Sequence, residues 1–185
     1  MDRVQSRPGK KRDCLAMILG ILKYGAPELV AKSRTVETFD SELAALARNL
    51  TETMYDAPGI GLAAPQVGIN RRLIVIDITG GEEPDHQMVL VNPSITHSDG
   101  SQKGEEGCLS IPGFTAVVVR PARVKVEAQH LNGEAFRMEA EDLLARALCH
   151  EIDHLDGILY LDRISPLKRD LTRRKIRKLI KAGEW

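Results

Sequence analysis

The sequence predicts an α+β domain whose strands pair mainly antiparallel, and three observations carry that prediction. Amphipathic stretches of helical period bracket a middle portion built from short β-branched runs. Turn residues separate those runs, among them Asn132-Gly133, the strongest short hairpin signal in the chain. The resulting order is helix, several strands, helix, a strand-like piece and a last helix, which segregates the two kinds of element.

Taken in order, residues 17–22 form a short apolar strand candidate, followed by the turn-prone Gly25-Ala26-Pro27. Residues 38–56 read as the first long helix. Asp40 or Ser41 can cap it, Leu43, Leu46, Ala47, Leu50 and Met54 recur on one face, and Pro58-Gly59 stops it. Residues 59–68 are rich in glycine and small side chains, so their backbone can approach a neighbour closely. Leu73-Ile74-Val75-Ile76-Asp77-Ile78 is a strongly β-branched strand, 80–84 a polar loop, and 89–91 the start of another strand. Glycine-framed residues 104–113 enclose Cys108, and 115–119 are again extended. Alternating Val124, Val126 and Ala128 mark a half-buried strand that turns at Asn132-Gly133 into 134–140. A central helix through the apolar run 143–149 ends at Gly157, a natural left-handed cap. Residues 158–161 look strand-like, and 168–181 helical and basic.

Bulk properties narrow the function. The 185 residues suit one domain with a real core. No apolar run approaches a membrane span, so no membrane partner is expected. Lys and Arg number 26 against 26 Asp and Glu, so overall charge gives no reason to expect DNA as a partner. Cys14, Cys108 and Cys149 are too few and too odd for a disulfide framework and fit a reducing, cytoplasmic setting. The basic residues before position 17 precede no small-residue cleavage site, and Asp2 and Asp13 interrupt any transit-peptide pattern. Residues 1–16 are expected to be a disordered basic extension, 17–165 a catalytic domain, and 166–185 a basic C-terminal helix.

The chemistry centres on His150-Glu151-Ile152-Asp153-His154. In a helix, histidines four apart project from one face, where two imidazoles can grip one divalent metal, with Glu151 beside them as a proton carrier. Two histidines and a glutamate among Leu144, Leu148, Ile152 and Leu155 need something to compensate their burial. A protease of the metzincin kind would add a third histidine downstream, where Tyr160 stands instead. No histidine follows His154, and the only later glutamate is Glu184, so the third ligand must lie upstream. Cys108 is the best candidate: thiolate plus two imidazoles leaves a fourth position open, as a catalytic site requires. Its competing reading is a buried, inert thiol. Cys149 points about 100° away from His150 around the helix and should miss the metal.

Three segments together, Gly59-Ile60-Gly61-Leu62-Ala63-Ala64-Pro65-Gln66, Glu106-Gly107-Cys108-Leu109-Ser110 and His150-Glu151-Ile152-Asp153-His154, resemble the three motifs of the peptide deformylases, in that family's order. The resemblance covers about residues 17–163. It implies a metal-dependent hydrolase that removes the N-formyl group from formylmethionine on nascent polypeptides, through a metal-bound hydroxide. By that similarity Cys108, His150 and His154 bind the metal, Fe2+ in the cell and replaceable by Zn2+, Ni2+ or Co2+. Glu151 would be general base and acid, and Gln66 with the Leu109 N–H would receive the oxyanion. Ile60, Gly61 and Gly107 would run beside the substrate. Two departures stand out: Cys149 where many members have glutamine, and Thr115 where some have an arginine near the substrate. Similar enzymes occur in bacteria and in organelles, and the bacterial cytoplasm is the expected site.

Lys168, Arg169, Arg173, Arg174, Lys175, Arg177, Lys178 and Lys181 face only Asp170 and Glu184, with Leu167, Leu171, Leu179 and Ile180 as an apolar side. This is either a solvated surface helix or a contact for RNA phosphates. Resemblance to the family favours the ribosome as partner. Against the deformylase reading stand a metallopeptidase built on the same helix and a non-catalytic, metal-containing ribosome-binding protein. Glu151 and Gln66 argue against the second, because a structural metal needs neither a base nor an oxyanion donor.

Overall fold

A computed structural model describes residues 16–83 and 85–185 of the chain. The expectation of a disordered extension falls on residues outside these, except at Ala16. The fold is α+β, with three helices, α1 (Ser41–Asp56), α2 (Asp142–Leu155) and α3 (Pro166–Ala182). Seven strands accompany them: β1 (Gly61–Ala63), β2 (Leu73–Ile76), β3 (Met88–Asp99), β4 (Gln102–Gly107), β5 (Thr115–Arg120), β6 (Arg123–Gln129) and β7 (Ala135–Glu141). They form a five-stranded sheet ordered β1-β2-β3-β6-β7 and a separate β4-β5 hairpin, every strand pair antiparallel.

Both faces of the large sheet are covered, which explains the uninterrupted apolar run of β2. Leu73 and Val75 point toward α1, joining Leu43, Leu46, Leu50 and Met54. Ile74 and Ile76 point the other way, to Ala145, Leu148, Ile152 and Leu155 of α2. A third cluster under the hairpin joins Val118 to Leu29, Ile111, Leu159, Tyr160, Leu161 and Ile176. Asp40 caps α1, its Oδ1 accepting from the N–H groups of Glu42 and Leu43 at 3.0 and 2.9 Å. The β6–β7 hairpin closes at Asn132-Gly133, where the His130 N–H donates to the Glu134 carbonyl. Among the described residues no helix is long and apolar enough to cross a membrane.

Two expectations fail, each for a physical reason. Residues 17–22 are not a strand, because their neighbour is α1, a helix with no ladder to offer. The N–H groups of Met17 and Leu19 donate instead to the side chains of Asn49 and Thr53, one turn apart. Residues 158–161 are not a strand either. A 3₁₀ turn spans Tyr160–Arg163, with Asp162 Oδ2 accepting from the Leu159 N–H. Short apolar runs carry no period long enough to separate these cases. On α3, Leu167, Leu171 and Ile180 are exposed, and Ile176 is the residue that docks the helix. β4 carries no strand pattern in its sequence, since its glycines and charges look like loop.

Gly157 terminates α2 at φ +73°, and a Cβ there would lie 2.5 Å from the Val30 carbonyl oxygen. Gly157→Ala should therefore lower unfolding stability by more than the ~1–2 kcal/mol of the left-handed conformation alone. Chemical denaturation checks this, and a loss below that range would contradict the close approach.

Candidate metal centre

Three separate stretches of chain meet at one end of a cleft of about 480 Å³. From α2 come His150, Glu151 and His154, from the turn after β4 comes Cys108, and from the 3₁₀ turn after β1 (Ala64–Val67) comes Gln66. Ile60, Gly61, Gly107 and Leu109 line the same cleft. All nine residues singled out in the sequence thus come together, with His154 buried just behind the lining. Cys149 is also buried but stands outside the donor cluster, as its helical position requires.

The donors Cys108, His150 and His154 lie within 4.8 Å of one another. Cys108 Sγ and His154 Nε2 are 3.3 Å apart. Zinc–ligand lengths of about 2.3 Å to sulfur and 2.0–2.1 Å to nitrogen place tetrahedral neighbours about 3.5 Å apart, so a small divalent ion fits between these donors. The ligand orientation fits as well. His150 Nδ1 lies 3.0 Å from Glu106 Oε2, leaving Nε2 to face the cluster. Tyr160 stacks on the His150 ring, with centroids 6.3 Å apart, and its hydroxyl donates to the Phe114 carbonyl. The residue that stands where a protease would have its third histidine therefore braces a ligand instead.

Glu106 is the hub of a buried ion network. Arg120 donates to both its oxygens, at 2.9 and 3.0 Å, and Arg146 donates to Oε1 at 2.7 Å. Arg120 also bonds Asp153, which bonds Arg163. Burial alone would raise the Glu106 carboxyl, but hydrogen bonds from His150 and Arg120 bring it down to about 2. Burial disfavours charge on both histidines. For His154 burial, and then the nearby charges of His150 and Arg120, hold the ring well below its ordinary value. His150 instead rises to about 10 through its hydrogen bonds with Cys108 and Glu106. A metal held at His150 Nε2 would take the place of a proton there, so its binding would be coupled to proton release.

Glu151 is nearly inaccessible, and its Oε2 has no protein partner among the described residues. Burial pushes its carboxyl up to about 7. Gly61 makes room for it: a Cβ at that position would lie 2.4 Å from Glu151 Oε1. Gln66 is oriented without ambiguity. Its Oε1 accepts from the Ala63 N–H at 2.8 Å, a group that can only donate, so Nε2 must face the site. There Nε2 donates to Ser110 Oγ at 3.2 Å and lies 3.5 Å from Cys108 Sγ. Among the described residues the Leu109 N–H has no protein acceptor.

Glu106, Ser110, Arg120, Arg146, Asp153 and Tyr160 were not assigned from the sequence. One signal was available: Arg146, His150 and Asp153 recur at spacings of four and three on an apolar helix, a polar stripe that must face polar partners. The partner on β4 carried no comparable mark.

Comparison with known proteins agrees with this geometry. The family described as Polypeptide deformylase matches residues 18–170. The chain is 54% identical over 169 residues to a peptide deformylase of Acidobacterium capsulatum, covering 91% of this chain and 99% of that protein. It is 52% identical to one from Thermodesulfovibrio yellowstonii, covering 86% and 97%. The crystal structure of a peptide deformylase from Legionella pneumophila superposes with a TM-score of 0.83 at 46% identity, covering 90% and 97%. A deformylase from Synechococcus elongatus, solved in complex with actinonin, gives 0.81 at 42%, covering 89% and 88%.

Glu106→Gln removes the charge that orients His150 while keeping the side chain's size. Metal affinity should fall by roughly 10–100-fold, measured by competition with a chromophoric chelator. Unchanged affinity would show that the Glu106–His150 contact does not set the ligand.

Proposed function

The chain belongs to the peptide deformylase family, metal-dependent hydrolases that remove the N-formyl group from nascent polypeptides, and we propose how its own residues divide that work. The observation that carries the reading is the convergence of three metal donors, an unpartnered buried carboxylate and an oriented amide N–H in one cleft. Cys108, His150 and His154 would hold one divalent ion. Fe2+ is the physiological choice, with Zn2+, Ni2+ or Co2+ as replacements, since the donor set accepts all four. Such an ion supplies Lewis-acid polarisation and a bound water whose pKa is brought toward neutrality.

Glu151 takes the proton of the attacking water and returns it to the departing amine. A carboxyl raised to about 7 is matched to moving a proton in both directions near neutral pH. Its burial also keeps bulk water from competing for that proton. Gln66 Nε2–H and the Leu109 N–H receive the negative charge that develops on the formyl oxygen. The Ala63 N–H fixes the Gln66 amide before substrate arrives, so no reorganisation is needed at the moment of reaction. Ile60, Gly61 and Gly107 flank the substrate backbone. β1 is an edge of the large sheet and β4 an edge of its hairpin, and such edges offer unpaired backbone groups to an extended peptide. A formyl group bears only hydrogen on its carbonyl carbon, so the closely packed floor of the cleft suits it better than an internal peptide bond.

The substrate is an N-formylmethionyl peptide, and the bacterial relatives support the cytoplasm as the place of action. For α3 we propose docking on ribosomal RNA. Arg174, Lys175, Arg177, Lys178 and Lys181 are exposed along it. Ile176 anchors the opposite face, so the basic side is presented on a fixed helix rather than a loose tail.

The direct test is formate release from a formyl-Met peptide by protein loaded anaerobically with Fe2+; no turnover with metal bound would overturn the reading. Glu151→Gln should keep the metal and lose at least about 10²-fold in kcat. Activity retained in that variant would assign the proton transfer elsewhere. Charge reversal at Arg174, Lys175 and Lys178 should weaken co-sedimentation with ribosomes and leave peptide turnover intact. Deleting α3 would be a poorer test, because it also removes Ile176 from the core. Undiminished co-sedimentation of the reversed variant would leave α3 as an ordinary solvated surface.

A further inference from the structure

Trp185 lies just beyond α3, far along the chain from every residue of the site, yet it touches two pieces of the site's scaffold. Its indole packs against Phe114, with ring centroids 6.2 Å apart and planes inclined at 57°. Phe114 lines the substrate cleft. The indole Nε1–H donates to the Tyr24 carbonyl at 3.0 Å, and Lys23 Nζ sits 5.9 Å from the ring centre.

Residues 22–24 bond to two loops of the site. The Leu22 N–H donates to the Gln66 carbonyl and the Tyr24 N–H to the Ser110 carbonyl, both at 2.7 Å. One short segment thus ties the loop of Gln66 to the loop of Cys108 and Ser110, the same two loops that the Gln66 Nε2–Ser110 contact joins. Trp185 holds the far end of that tie. It also backs the turn 111–114, whose other supports are the Tyr160 hydroxyl on the Phe114 carbonyl and the Ile111 N–H on the Cys108 carbonyl.

We propose that Trp185 is a positioning residue for substrate binding, clamping the Tyr24 segment and Phe114 so that the cleft wall at Phe114 is formed before the peptide enters. It contacts none of the reacting atoms, so its effect falls on binding and not on the chemical step. The assignment rests on the deformylase reading.

The chain has a single tryptophan, which makes the test direct. In the metal-loaded protein, Trp185→Ala should raise KM for formyl-Met-Ala-Ser about two- to tenfold with kcat essentially unchanged, the scale of one lost aromatic contact. Trp185→Phe, which keeps a ring against Phe114, should recover most of that loss. In the wild-type protein the emission of Trp185 should shift saturably as the product peptide Met-Ala-Ser fills the cleft. A fall in kcat at unchanged KM would mark a plain loss of folded enzyme and overturn the assignment, as would emission unmoved at saturating peptide. Either result leaves the deformylase reading standing if the wild-type protein releases formate; absence of formate release would remove both.

Discussion

The structure turns on the burial of one carboxylate, Glu106. Its side chain is almost completely enclosed, and His150, Arg120 and Arg146 converge on it. A charge in that position is tolerable only if every lone pair finds a donor, and removing one member of such a group costs roughly 3–5 kcal/mol. The β4–β5 hairpin shares no ladder with the large sheet, so ordinary sheet hydrogen bonds cannot set its position. The network does so instead: Glu106 on β4 and Arg120 on β5 must meet Arg146, His150 and Asp153 on α2. Because Cys108 follows Glu106 by two residues, satisfying that charge also delivers the Cys108 sulfur to the two histidines.

The same arrangement separates the duties of neighbouring residues on α2. Arg146, His150 and Asp153 face the hairpin, Leu148, Ile152 and Leu155 face the sheet, and Glu151 faces the cleft where Gly61 leaves space. A helix presenting three different surfaces cannot slide or rotate to relieve one without breaking another. Preorganisation of the metal donors therefore follows from packing and charge together, before any ion binds.

Legibility of the sequence tracks the range of the interactions that form each part. α1, β2, β6 and β7 were readable because capping, alternation and the Asn132-Gly133 turn are local. His150, His154 and Glu151 were readable because a helix turns sequence spacing directly into geometry. Cys108 and Gln66 required elimination and resemblance, since nothing within ten residues of either says what it will face. Glu106, Arg120 and Asp153 stayed silent because a buried ion network is written in three places at once and no local pattern distinguishes its members from surface charges. The misreadings at 17–22 and 158–161 have a related cause. An apolar run reports burial, but the neighbour decides whether its backbone pairs in a sheet, winds into a 3₁₀ turn or bonds to side chains.

That neighbour effect also explains how a site drawn from three distant segments stays assembled. The 3₁₀ turn at Tyr160–Arg163 puts its residues to separate uses: Tyr160 braces His150, Asp162 forms ion pairs with Arg169 and Arg173 of α3, and Arg163 pairs with Asp153. A β-strand would alternate its side chains between two faces and could not reach all three. The segment 22–24 likewise ties Gln66 to Ser110 only because it lies outside the sheet, with its N–H groups free to find carbonyls on two different loops. Irregular backbone is here the means by which the regular elements are fastened at the cleft. Its hydrogen bonds go to loops of the site, and for that reason its departure from the strand pattern is informative about function.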